Sequence, residues 1–180
     1  MASAQEVISS FLCPLDHDIE QFLKTKAIKF ETASKSRTYL LFDNEAADKG
    51  ELRLLAYFTL ALHILFVPTG FSGNQIKKLD EFSANVRGAR ISEFPCYLIG
   101  QLGKNSAHPV HTMTGDLIMN YALGVIGQAN DLAGGRIVLI ECEPIEKLID
   151  FYRRHGFEEY DNEPDEDCGA MLQMMRLVYF

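Results

Sequence analysis

Residues 136–157 read RIVLIECEPIEKLIDFYRRHGF, and this stretch decides the fold. Its first part, RIVLIEC (136–142), is a short apolar run rich in β-branched side chains and predicts a buried strand. Its second part places Leu148, Ile149 and Tyr152 on one side of a short helix over 145–155. Gly156 then suits the position just past the helix C-terminus, where the backbone turns left-handed. Working back along the chain, Leu117, Ile118, Tyr121, Ala122, Val125, Ile126 and Ala129 recur with the helical period, so 115–133 predicts a helix that Gly134 and Gly135 stop. Residues 94–102 (FPCYLIGQL) predict another strand, and Gly103–Thr114 a polar loop. Strand 94–102, helix 115–133 and strand 136–142 form a βαβ-like unit. Its loop leaves the carboxyl end of the first strand, where ligands bind in such sheets.

The rest of the chain extends this pattern. Residues 16–30 place Ile19, Phe22, Leu23, Ala27 and Phe30 on one helical stripe, with Asp16 as N-cap. Residues 37–42 predict a strand, 43–50 a turn, and the apolar run 52–67 a central strand buried on both faces. Ser72 caps a further helix with Ile76, Leu79, Phe82 and Val86 inward and Gly88 near its end. Residues 170–180 close the chain as a strand. Strands alternating with helices imply an α/β (α+β) sheet with helices on both faces.

Composition sets the outer bounds. The chain has 180 residues, 47% hydrophobic and 23% charged, the size and balance of one globular domain over 1–180. The run Leu54–Val67 falls short of the ~20 apolar residues that a membrane-spanning helix needs. The opening Met1-Ala-Ser-Ala-Gln-Glu lacks a basic n-region, so a cytoplasmic protein is expected. Cys13, Cys96, Cys142 and Cys168 include no C-x-x-C pair, which favours reduced thiols over a disulfide framework or a zinc site. Residues 158–167 (EEYDNEPDED) carry most of the net charge of −8. Lys24, Lys26, Lys29, Lys35 and Arg37 form a local basic run with only Glu31 against them, but no overall basic footprint for nucleic acid exists.

The first place for chemistry is the stretch Val110, His111, Thr112, Met113, Thr114, Gly115 and Asp116. Backbone N–H groups at a helix start carry partial positive charge and receive phosphate. Gly115 permits close approach, and Thr112 and Thr114 add hydroxyls. His108 and His111 stand three apart without further ligands, so no metal is expected.

The second place is DFYRRHGF (150–157), and here a resemblance enters. Tyr152, Gly156 and Phe157 keep the Y-x-x-x-G-F spacing that closes the GNAT N-acetyltransferase superfamily. LIGQLGKNSAHPVHTMTGDLIMNYAL (98–123) is similar to its strand, pyrophosphate loop and coenzyme helix. FLCPLDHDIEQFLKTKAIKF (11–30), SRTYLLF (36–42) and LLAYFTLAL (54–62) resemble the toxin-type branch, whose members acetylate aminoacyl-tRNA. The resemblance touches nearly the whole chain, and its sharp part is the C-terminal motif. It departs from the family's Q/R-x-x-G-x-G/A loop: aligned on Gly115, Val110 replaces the basic or amide residue and Met113 the first glycine. Ile145 stands where an asparagine is common.

The resemblance implies a GNAT-like, mostly antiparallel mixed sheet and acetyl-CoA as cosubstrate. The backbone of Leu102, Gly103 and Lys104 would bind the pantetheine arm, and residues 110–116 the pyrophosphate. An acetyl group would pass to a primary amine by direct attack, with Tyr152 at the departing sulfur. A phenol titrates near 10 and a thiol near 8.5, so full proton transfer to the thiolate is uphill by about 2 kcal/mol. A hydrogen bond that strengthens as charge develops is the better description. The base stays open among Glu141, Glu143, His63, His108 and His111, and an α-amino acceptor needs little or none. The implied partners are aminoacyl-tRNA and an antitoxin. Separately, the terminal strand and its aromatic end Val178-Tyr179-Phe180 suit pairing with a second copy. Two alternatives stay open: acetylation of a small-molecule or protein amine, and a GNAT-like binding module without turnover.

Overall fold

The structure, a computed structural model, describes residues 4–108, 112–160 and 171–178. Val110, His111, Cys168, the acids between 161 and 167, Tyr179 and Phe180 lie outside the described residues. The helices are α1 (Ala4–Ser9), α2 (His17–Gln21), a π-helical turn (Phe22–Lys26), α3 (Ala27–Thr32), α4 (Asn44–Ala47), α5 (Gly73–Asp80), α6 (Gly115–Ala133) and α7 (Glu146–Arg154). The strands are β1 (Arg37–Phe42), β2 (Leu54–Phe66), β3 (Asn85–Val86), β4 (Ala89–Arg90), β5 (Glu93–Lys104), β6 (Ile137–Cys142), β7 (Glu158–Glu159) and β8 (Leu172–Leu177). Six strands form one mixed sheet in the order β1-β2-β5-β6-β8-β7, and β3 and β4 form a separate hairpin. Among the described residues no helix is long and apolar enough to cross a membrane.

Two compact units divide the chain, Met1–Ala61 with Ile99–Val125 and Leu62–Leu98 with Ile126–Phe180. In the first, β1 pairs antiparallel with β2 from Arg37↔Leu60 to Leu41↔Ala56, with a bulge before Phe42. The Asp16 side chain accepts from the Ile19 N–H and starts α2 as expected. The helix then passes through the π turn, closed by the Ala27 N–H on the Phe22 carbonyl. The stripe survives this insertion. Leu23 and Ala27 are buried with Val7, Ile8, Phe11, Leu54 and Tyr57, and Ile19 and Phe22 pack on that cluster. Residues 43–50, expected as turn, hold the single-turn α4, because the Asp43 carboxylate accepts from the Glu45 and Ala46 N–H groups.

In the second unit, β8 pairs antiparallel with both β6 and β7. The core gathers Leu65, Ile76, Leu79, Phe94, Cys96, Ile137, Leu139 and Tyr160. Ser72 caps α5 in a full capping box with Gln75. That helix stops earlier than its apolar spacing predicts. Glu81 takes φ +74, its N–H closes on the Lys77 carbonyl, and the chain turns into the β3–β4 hairpin. Phe82 and Val86, expected inward, are therefore exposed. Helix α6 keeps its expected bounds, but its buried stripe runs through Ile118, Met119, Ala122 and Ile126, while Leu117 and Tyr121 face solvent.

Candidate active site

The Y-x-x-x-G-F spacing has a direct physical reading in α7. The helix has His155 at its C-cap. Gly156 follows with φ +78, the left-handed region that favours glycine. The Phe157 N–H donates to the Tyr152 carbonyl (3.1 Å) and the Gly156 N–H to the Arg153 carbonyl (2.9 Å). These are the paired hydrogen bonds of a Schellman cap, with Tyr152 at C3, Gly156 at C′ and Phe157 at C″. The apolar contact expected of that motif is present: the Tyr152 and Phe157 rings meet edge to face at 6.0 Å. Phe157 is 1% exposed and anchors the turn, while Tyr152 stays half-buried against Phe151 as well. The motif thus holds the last turn of α7 and aims Tyr152 from it. At the other end, Ile145 is an N-cap without a side-chain hydrogen bond, the cost of having no asparagine there.

In the first unit, β5 runs two residues further than expected, so Gly103 and Lys104 belong to the strand rather than to the loop. Leu102 is half-buried, Gly103 buried and Lys104 exposed. A Cβ on Gly103 would lie 2.5 Å from Ile19 Cγ2, 2.9 Å from Tyr57 Cε1 and 3.1 Å from Phe11 Cζ. Glycine is required here because the helical cluster presses on the strand. Tyr57 keeps that cluster in place by donating its hydroxyl to the Ile19 carbonyl at 2.5 Å, and burial pushes its phenol pKa far up.

Asn105, directly after β5, is fully buried. Its Oδ1 accepts from the Leu12 N–H (3.0 Å) and the Ala107 N–H (2.9 Å), and its Nδ2 donates to the Leu54 carbonyl (2.8 Å). The Asn105 N–H itself donates to the Leu55 carbonyl. One side chain therefore ties the strand exit to β2 and to the segment after α1. Sequence reasoning passed over it, since a lone asparagine in a polar stretch carries no distinguishing signal.

At the start of α6, the Thr114 hydroxyl accepts from the Leu117 N–H at 3.2 Å, which makes Thr114 the cap and leaves its O–H to donate. Met113 turns its side chain inward and is 9% exposed, so it offers a ligand only backbone. Thr112 and Asp116 are exposed and Gly115 half-buried. Leu102–Lys104 and Thr112–Asp116 belong to the first unit and Tyr152 to the second.

Of the candidate bases, Glu141 is exposed and accepts from the Gln173 side chain at 2.8 Å, and Glu143 and His63 are exposed. The buried polar residues among those described are Ser36, Thr59 and Asn105, with no carboxylate or imidazole. The basic run is partly neutralised. Lys24 pairs with Glu20, Arg37 with Glu31, and Lys35 lies over the Phe30 ring. Among the described residues no group of acidic, histidine or cysteine side chains could hold a metal ion.

No protein-family model and no curated protein sequence matches the chain. Solved structures do match, and what the chain shares with them is the fold, seen in the toxin acetyltransferases AtaT and KacT. AtaT complexed with acetyl-methionyl-tRNAfMet superposes with a TM-score of 0.67 at 19% identity, over 95% of this chain and 89% of that one. A Tyr-to-Phe mutant of AtaT bound to the C-terminus of the antitoxin AtaR and acetyl-CoA matches at 0.63 and 18%, over 93% and 82%. A Tyr-to-Phe mutant of KacT matches at 0.63 and 22%, over 92% and 85%.

Proposed function

We propose that this chain works as one catalytic domain that transfers an acetyl group from acetyl-CoA to the α-amino group of an aminoacyl-tRNA. The observation that carries the reading is the placement of Tyr152 on a Schellman-capped helix directly after β6, in a chain with the AtaT and KacT fold. The start of α6 would receive a pyrophosphate through its backbone: Gly115 has no side chain, Met113 is buried, and helix-start N–H groups favour anions. The strand end Leu102–Lys104 would hold the pantetheine arm through main-chain groups. Acetyl-CoA supplies an activated acyl group as a thioester. Tyr152 donates a hydrogen bond to sulfur as negative charge develops there. An α-amino acceptor of this kind needs little help from a base. An α-amino group titrates near 8, so roughly a tenth of it is already neutral at pH 7. A cytoplasmic location and binding of an AtaR-like antitoxin segment belong to the same reading.

Calorimetric titration with acetyl-CoA and with desacetyl coenzyme tests it. Micromolar binding is expected, weakened by Gly115→Glu, which sets a carboxylate at the phosphate position. Tyr152→Phe is expected to retain coenzyme affinity and lose ~10²-fold or more in transfer rate with charged tRNA. Absence of binding at millimolar coenzyme would favour a binding module without turnover, which the substitution of Met113 for the loop's first glycine would then explain. Transfer to free amines but not to charged tRNA would select the small-molecule or protein acceptor instead.

A further inference from the structure

The second unit carries an open groove of about 1120 Å³ that acetyl transfer leaves unused. Its walls are the last turn of α5, the C-terminal end of α7 and the end of β8. They present Lys77, Lys78, Arg136, Arg154 and Arg176 against Glu81 and Glu158. The Glu81 carboxylate is taken by Arg136 at 2.6 Å. Arg176 donates one N–H to the His155 carbonyl at 2.6 Å, and a guanidinium has four more to offer. Lys77 and Lys78 are exposed, and no ion pair among the described residues engages either. The cations come from α5, α7, β8 and the residue before β6, so a sequence scan for a basic run does not find them.

We infer that this groove holds the phosphodiester backbone of an RNA. The inference rests on the aminoacyl-tRNA reading and assigns that substrate a surface. In a chain of net charge −8, docking of a polyanion needs a local excess of cations. The N-terminal basic run, with Lys24 paired to Glu20 and Arg37 to Glu31, carries a similar excess and serves as the comparison in the test. An acidic peptide is the other polyanion to consider. Both ligands are met by bidentate arginine, and the poly-glutamate arm of the test separates them.

The test compares two variants with the same loss of charge, Lys77→Gln/Lys78→Gln in the groove and Lys26→Gln/Lys29→Gln on the N-terminal run. Both pairs are exposed, and circular dichroism checks that both proteins fold. Fluorescence anisotropy with labelled, uncharged tRNA is read across about 50 to 200 mM salt, with labelled poly-glutamate in parallel. The groove variant is expected to bind tRNA on the order of 10-fold more weakly at low salt, with a log–log salt slope shallower by about 2, one for each lost phosphate contact. The control variant is expected to stay near the unsubstituted protein. Equal losses in both variants, or a loss confined to poly-glutamate, overturn the assignment while leaving the acceptor reading intact. If the unsubstituted protein binds no tRNA even at low salt, the acceptor reading falls and the groove assignment with it. The coenzyme titration reports on acetyl-CoA independently of all these outcomes.

Discussion

Replacing Gly156 by alanine isolates the conformational part of the Tyr152 cap. The residue sits at φ +78, where an L side chain costs about 1–2 kcal/mol relative to glycine. Sterics add nothing: the nearest atoms to a Cβ there are Arg176 Nε at 3.7 Å and Cδ and Cζ at 3.8 Å, ordinary contacts with a flexible side chain. Reduced freedom in the unfolded chain returns ~0.5 kcal/mol. The net loss is about 1 kcal/mol, or roughly 2–4 °C in Tm for a chain of this size. Gly103→Ala provides the contrast. No left-handed φ constrains Gly103, but its new Cβ would lie within 3.1 Å of Ile19, Tyr57 and Phe11, and Tyr57 is tied by its own hydrogen bond. Overpacking of this kind costs about 1–3 kcal/mol or more. Urea unfolding followed by circular dichroism should rank Gly103→Ala as more damaging than Gly156→Ala. Gly156→Asn should be milder than Gly156→Ala, because asparagine tolerates the left-handed region. An equal or reversed ranking of the two alanine variants, or an asparagine variant worse than alanine, would refute the assignment of one glycine to backbone conformation and the other to packing.

Three further expectations concern buried groups. Asn105→Ala strands two N–H donors and one carbonyl and should cost ~3 kcal/mol or more, seen as a lower urea midpoint with an unchanged slope. A loss below ~1 kcal/mol would mean that the Asn105 network is incidental. Site-resolved alkylation of the native protein near pH 8 should modify half-buried Cys13 well before Cys96 and Cys142, which are both buried. Burial and the Glu141 carboxylate push the Cys96 thiol up to about 12, and burial pushes the Tyr160 phenol up to about 12. The unfolded chain releases those protons near 8.5 and 10, so their stabilisation is complete below about pH 8.5 and is lost as pH rises towards 12. Urea midpoints measured at increasing alkaline pH should therefore fall, and a flat profile would contradict the burial of both groups.

Local sequence by itself determined the elements whose signals lie within one or two turns. The bounds of α6, the Asp16 and Ser72 caps, and the glycine that ends α7 all rest on contacts between residues at most five apart. The Y-x-x-x-G-F spacing is of this kind, since a Schellman cap is closed by the helix end alone. Apolar spacing misled where a local backbone choice overrode it. The left-handed Glu81 ended α5 and sent Phe82 and Val86 to the surface. The stripe of α6 was rotated because burial depends on what lies opposite the helix, which its own period does not record. Only the tertiary structure decided why residue 103 must be glycine, what Asn105 holds together across 93 positions to Leu12, and that cations from α5, α7 and β8 share one groove. Each depends on chain segments that are distant in sequence and meet only once the sheet has formed.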